Sequence, residues 1–107
     1  MLQQVDVWGM KAREVMPGYR GRFVHSDHTT HAYWEIDADS PLPEHAHPHE
    51  QVVNMVDGTF ILTVAGEKRV LKAGAIVVIP SNVKHSGQAV TACRIMDVFY
   101  PVRKDYQ

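Results

Sequence analysis

Residues 44–58 read EHAHPHEQVVNMVDG, and the two halves of this stretch ask different things of the backbone. From Gln51 onward the run has the apolar character of a strand, with Gln51, Val53 and Met55 on one face. Asp57-Gly58 then ends it as a short hairpin turn would. Ahead of the strand, His45 and His47 stand two apart, so an extended segment projects both to the same side. Two imidazoles placed in that way can offer ring nitrogens to one ion.

The same apolar alternation continues on either side, broken by turn residues every eight to twelve positions, which is the pattern of an all-β barrel or sandwich. Strands are expected at 12–16, 19–25, 30–37, 51–56, 59–65, 68–71, 76–79, 85–90 and 93–100. Residues 38–44 hold two prolines and are expected to form a loop. The run Ile76-Val77-Val78-Ile79 is apolar on both faces and rich in β-branching, which predicts a strand buried between layers. Helix is nearly absent; a short closing turn at 102–106 has no clear cap. On the last strand Cys93, Ile95, Asp97 and Phe99 share one face. If that face and the Gln51 face both line the interior, a carboxylate and an amide point into an apolar cavity. Burying such groups is costly unless they are paired or serve a ligand.

Bulk composition narrows the function classes. The 107 residues are 45% hydrophobic and 21% charged, an ordinary globular make-up for one domain spanning 1–107. Eleven basic and twelve acidic residues leave a formal charge of −1, so no basic field draws nucleic acid or an anionic membrane. Cys93 is the only cysteine, which excludes an intrachain disulfide and a thiolate cluster. Residues 1–4 lack a charged leader, and the apolar runs are far too short to span a bilayer. The simplest expectation is a soluble cytoplasmic protein, and a core of this modest size favours a homodimer.

Seven histidines are many for this length, and four of them fall at 45, 47, 49 and 85. Gln51 adds an amide oxygen, and His85 follows the breaker Pro80-Ser81-Asn82 where a neighbouring strand can bring it across the interior. Neutral imidazoles with an oxygen donor suit Mn, Fe, Co, Ni, Cu or Zn, whereas calcium prefers all-oxygen sites. His49 shares the parity of His45 and His47 and competes with Gln51 for the last position. The alternative for Gln51 is a strand-edge hydrogen bond. For the histidines it is a metal-free pocket in which they act as donors.

The pattern His45-x-His47-x3-Gln51-x6-Gly58 resembles the first motif of the cupin superfamily, H-x-H-x3,4-E-x6-G. Gly74-x5-Pro80-x-Asn82-x2-His85 resembles the second, G-x5-P-x-G-x2-H-x3-N. Four positions depart. Asp39 stands for the leading glycine, Gln51 for the usual glutamate ligand, Asn82 for the inner glycine and Ala89 for the final asparagine. The run HAHPHEQ and the tail from Asp97 to Asp105 are similar to the single-domain KdgF type of pectin-degradation cupin, which also carries glutamine at the glutamate position. The resemblance implies a jelly-roll β-barrel. It also implies a divalent transition metal (Ni, Zn, Mn, Fe or Co) held by His45, His47, Gln51 and His85, with motif spacing favouring Gln51 over His49.

That likeness further implies conversion of 4,5-unsaturated monouronates to the linear keto form. An Asp, a Phe and an Arg in the pattern D-x-F-x3-R then line the active site, and Asp97, Phe99 and Arg103 match it. In this reading Asp97 relays a proton, Phe99 walls the sugar ring and Arg103 pairs with the substrate carboxylate. A neutral Gln51 leaves the ion its full charge, which favours Lewis-acid over oxygen chemistry. Two other classes stay open: a small-acid-binding or sensing cupin without turnover, and a cupin dioxygenase. His25, His28 and His31 are expected at the surface. Tyr19, Tyr33, Trp8 and Trp34 are expected to pack or to line the pocket rim, and Cys93 to fill the core.

Overall fold

The computed structural model describes residues 2–107; Met1, the first residue of the N-terminal stretch and of the 1–107 span read above, lies outside them. Ten strands carry the fold: β1 (Arg13–Met16), β2 (Tyr19–His25), β3 (Thr30–Ile36), β4 (Pro41–His45), β5 (Glu50–Asp57), β6 (Phe60–Val64), β7 (Glu67–Leu71), β8 (Ile76–Ile79), β9 (His85–Ala89) and β10 (Cys93–Tyr100). Short 3-10 turns at Val7–Gly9 and Lys104–Tyr106 are the helical elements among the described residues. Six strands form one sheet in the order β1-β2-β3-β10-β5-β8, and four form a second in the order β4-β9-β6-β7. Neighbours pair antiparallel throughout. Between β3 and β10 the chain changes sheet at every connection except the β6–β7 hairpin, the winding of a jelly roll.

Alternation decides which side chains enter the space between the sheets. In β3 the inward set is Thr30, Ala32, Trp34 and Ile36; in β10 it is Cys93, Ile95, Asp97 and Phe99. They meet Phe60, Leu62 and Leu71 from the smaller sheet and Val53, Met55 and Ile79 from the larger one. Each large apolar side chain so buried contributes roughly 1.5–3 kcal/mol of transfer free energy. Gly87 makes room for this packing: a Cβ there would lie 2.4 Å from the Phe60 ring.

Three local expectations are corrected. Residues 41–45 form strand β4 rather than part of a loop. β4 is the edge of the smaller sheet, and its pairing with β9 slips between Leu42 and His45, so its prolines sit where a missing ladder donor costs little. The apolar run of β8 is not buried on both faces. It is the edge of the larger sheet, and Ile76 and Val78 are 65% and 56% exposed, while Ile79 is fully buried. Asp57-Gly58 does not make a hairpin either. β5 pairs with β10 and β8, so the turn carries the chain across to β6 in the opposite sheet. Its glycine is at φ +88, with the Ala92 carbonyl oxygen 2.2 Å from where a Cβ would sit.

The aromatic residues divide by face. Tyr19 and Trp34 point inward, whereas Trp8 packs edge-on against Tyr33 on the outside of the larger sheet, with Arg22 and Arg94 over its ring. Cys93 is buried and donates to the Thr59 and Thr91 carbonyls, as a small core residue would. No helix among the described residues is long and apolar enough to cross a membrane.

Candidate metal centre

The three histidines reach one point from different parts of the chain. His45 ends β4 and is paired directly with His85, the first residue of β9. His47 comes from the connection between β4 and β5, whose backbone is held by the Asn82 amide donating to the His47 carbonyl at 2.8 Å. One ring nitrogen from each histidine lies within 4.8 Å of the others. In every ring Nδ1 is already engaged by a backbone carbonyl at 2.9 Å: Pro43 for His45, His49 for His47 and Val83 for His85. A carbonyl can only accept, so each Nδ1 carries the hydrogen and each Nε2 presents a bare lone pair.

Two of those lone pairs lack any partner that would satisfy them. His85 Nε2 is buried and makes no hydrogen bond among the described residues. His47 Nε2 faces Gln51 Oε1 at 3.1 Å, so two acceptors confront one another unless the ring is doubly protonated. Double protonation is opposed by burial, by the Arg103 charge and by His85, which together push the His47 pKa down to about 4. Burial lowers His85 as well. Orphaned, deprotonated imidazoles converging beside an amide oxygen are the donor set of a divalent first-row ion, and the residues fit such a group. His49 does not join the cluster; it supports His47 through its carbonyl.

The two glycine departures prove conservative in geometry. Asp39 and Asn82 have φ of 66° and 64°, the left-handed region that asparagine and aspartate visit more readily than other side chains.

Beside the histidines lies a cavity of about 310 Å³, lined by Trp34, Gln51, Asp97, Phe99, Arg103 and Tyr106 together with His45 and His85. Asp97 projects into it from the middle of β10, between Ala32 and Val53. Its Oδ2 accepts from the Trp34 indole at 3.0 Å, while Oδ1 is buried without a hydrogen bond among the described residues. Burial raises its pKa to about 7, against the opposing pull of the Gln51 amide, the Trp34 indole and the Arg103 charge. Phe99 is paired with Gln51 across the sheet and packs edge-on against the His47 ring. The Arg103 guanidinium lies 4.9 Å from the centre of the Phe99 ring and 4.1 Å from that of Tyr106, with Asp105 bonded to its Nε and Nη2.

All seven candidates therefore gather at one end of the space between the sheets. Trp34, Asp105 and Tyr106 also belong to the cavity. Trp34 has the parity in β3 that turns it toward Asp97, a signal available in the sequence. The last two sit in an uncapped turn that alternation cannot orient.

The Cupin domain family matches residues 32–99, well over half of the chain. A comparison with curated proteins finds no match. Among solved structures, KdgF from Halomonas sp. superimposes with a TM-score of 0.94 at 24% identity, covering 100% of both chains. An RmlC-like cupin from Shewanella frigidimarina NCIMB 400 gives 0.93 at 24% identity, over 100% of this chain and 97% of that one. A salicylate 1,2-dioxygenase from Pseudaminobacter salicylatoxidans gives 0.77 at 19%, over 80% of this chain and 27% of that one. At these identities the likeness is one of fold. With both histidine motifs inside the matched span, the chain belongs to the cupin domain family.

Proposed function

We propose that this cupin is a metal-dependent isomerase of small unsaturated sugar acids, opening the ring of a 4,5-unsaturated monouronate to the linear keto form. The observation that carries the reading is Asp97: a buried carboxyl with one bare oxygen, sharing a small cavity with His45, His85 and a guanidinium, at the edge of the three-histidine cluster. A carboxyl whose pKa is near 7 exchanges protons readily in both directions at neutral pH. The cavity is at the small end of ligand sites, suited to one sugar ring.

A divalent ion held by His45, His47, His85 and Gln51 supplies Lewis acidity toward carboxylate and hydroxyl oxygens. Arg103 pairs with the substrate carboxylate, and Phe99 forms a wall against the ring. Ring opening breaks the bond between the anomeric carbon and the ring oxygen. The anomeric hydroxyl gives up its proton and becomes the aldehyde, while the ring oxygen takes a proton and becomes an enol. The enol proton then leaves and C4 gains one, giving the ketone. Asp97 accepts and returns these protons, and no oxidant is consumed.

Metal-loaded protein incubated with 4,5-unsaturated galacturonate should bleach the enol absorbance. Binding without bleaching would sink the catalytic reading in favour of a sensing cupin, and oxygen uptake with a small organic acid would favour a dioxygenase. The proposal extends to a homodimer, whose second copy would cover the exposed Ile76 and Val78 of β8; sedimentation of the holoprotein tests it.

A further inference from the structure

Thr30 is completely buried at the start of β3, and its hydroxyl serves two partners. The backbone N–H of Arg103 donates to Thr30 Oγ1 at 2.8 Å, and His25 Nδ1 lies 2.9 Å from the same oxygen. The other ring nitrogen, His25 Nε2, is 3.2 Å from the Tyr106 carbonyl. Because that carbonyl only accepts, Nε2 carries the hydrogen and donates to it, so Nδ1 accepts from the Thr30 hydroxyl. The relay is then complete: Arg103 N–H to Thr30, Thr30 to His25, His25 to Tyr106.

This chain of bonds grips the C-terminal segment at both ends. His25 and Thr30 face each other across the end of the β2–β3 hairpin, and residues 103–106 are strapped between them. The strap brings Arg103, Asp105 and Tyr106 to the cavity wall, and the Tyr106 ring stacks on Phe23 at 4.5 Å. Asp105 occupies the Nε and Nη2 side of the guanidinium, leaving the Nη1/Nη2 edge for an incoming carboxylate. A bidentate pair tolerates little displacement, so whatever fixes the backbone at 103 fixes where that carboxylate must sit.

We propose that Thr30 and His25 are positioning residues for Arg103, holding the C-terminal strap so that the guanidinium meets the carboxylate of a sugar acid. This rests on the assignment of Arg103 to the substrate carboxylate made above. Loosening the strap weakens substrate capture while the proton-transferring group on β10 stays in place, so the loss belongs in KM.

Thr30→Val keeps the side-chain shape and removes the hydroxyl, stranding the Arg103 N–H. In metal-loaded enzyme with 4,5-unsaturated galacturonate, KM should rise about tenfold, the usual scale for one stranded buried donor, with kcat and metal content retained. Thr30→Ser should restore KM. Hydrogen exchange of the amides at 103–107 should quicken in Thr30→Val while the β10 amides stay protected. His25→Ala, which leaves the Thr30–Arg103 bond intact and serves if Thr30→Val does not fold, should raise KM by less and quicken exchange at 106–107. Unchanged KM, a loss confined to kcat, or unaltered exchange would overturn the proposal. If wild-type enzyme does not turn over the sugar, the functional reading fails separately. Exchange rates and calorimetric binding of galacturonate then still decide whether the clamp positions Arg103.

Discussion

At Asp97, burial and proton chemistry pull the same way. Its folded pKa of about 7 lies above the ordinary 3.8, so between these values the folded protein keeps a proton that the unfolded chain releases. The stability this confers is complete below about pH 4 and drains as the pH climbs to 7. Over that window the metal-free protein should lose a few kcal/mol relative to Asp97→Asn, which has nothing to ionise, as read by urea titration at pH 4 and pH 8. The same variant should keep its metal and lose roughly 10²–10⁴-fold in turnover; loss of metal would mean that Asp97 belongs to the ligand set. His47 runs in the opposite sense. Its pKa of about 4 lies below the ordinary 6.5, so its contribution is present above pH 6.5 and fades as pH falls toward 4. Protons therefore compete poorly for this ligand.

Spacing two apart pairs His45 with His47, but it took the resemblance to the two cupin motifs to add His85 to them, because motif distances encode which positions a jelly roll superimposes. Trp34 was legible as inward-facing but not as the hydrogen-bond donor to Asp97, since that needs the register of β3 against β10. His25, expected at the surface, is half-buried, because the strap that covers it lies some eighty residues further along the chain.

Among elements, what escaped the sequence was each strand's neighbours: prolines hid β4 as a loop, and periodicity identified β8 and the end of β5 without saying what they pair with. β4 and β8 both lie at sheet edges, where prolines and exposed apolar residues are tolerated, and neither fact is written in its own residues. Asp57-Gly58 carries the composition of a hairpin turn but spans two sheets. Its glycine should resist substitution for two reasons at once, the positive φ and the Ala92 oxygen 2.2 Å from the missing Cβ. Gly58→Ala should cost about 2–4 kcal/mol in urea unfolding. Since the turn lies at the opposite end of β5 from Gln51, activity per folded molecule should persist.

Across the whole molecule, the candidate centre draws His45 and His85 from the smaller sheet and Gln51 from the larger one, so a bound ion would stitch the two sheets together. An ion present at a hundred times its dissociation constant adds about 2.7 kcal/mol to stability. In a domain of this size that is on the order of 10 °C in Tm. A chelator should therefore lower the melting temperature of wild type by about that amount and leave His85→Ala unmoved. Equal shifts in both would place the ion elsewhere.

Each imidazole arrives with its tautomer already chosen by a carbonyl no more than two residues away. Little is left to rearrange when a cation enters, and little in the rings distinguishes one borderline ion from the next. Occupancy in a cell would then track the free concentrations of competing ions, weighted by the ascending series from manganese to copper. A single barrel could thus be recovered as a nickel, zinc or iron protein according to the growth medium.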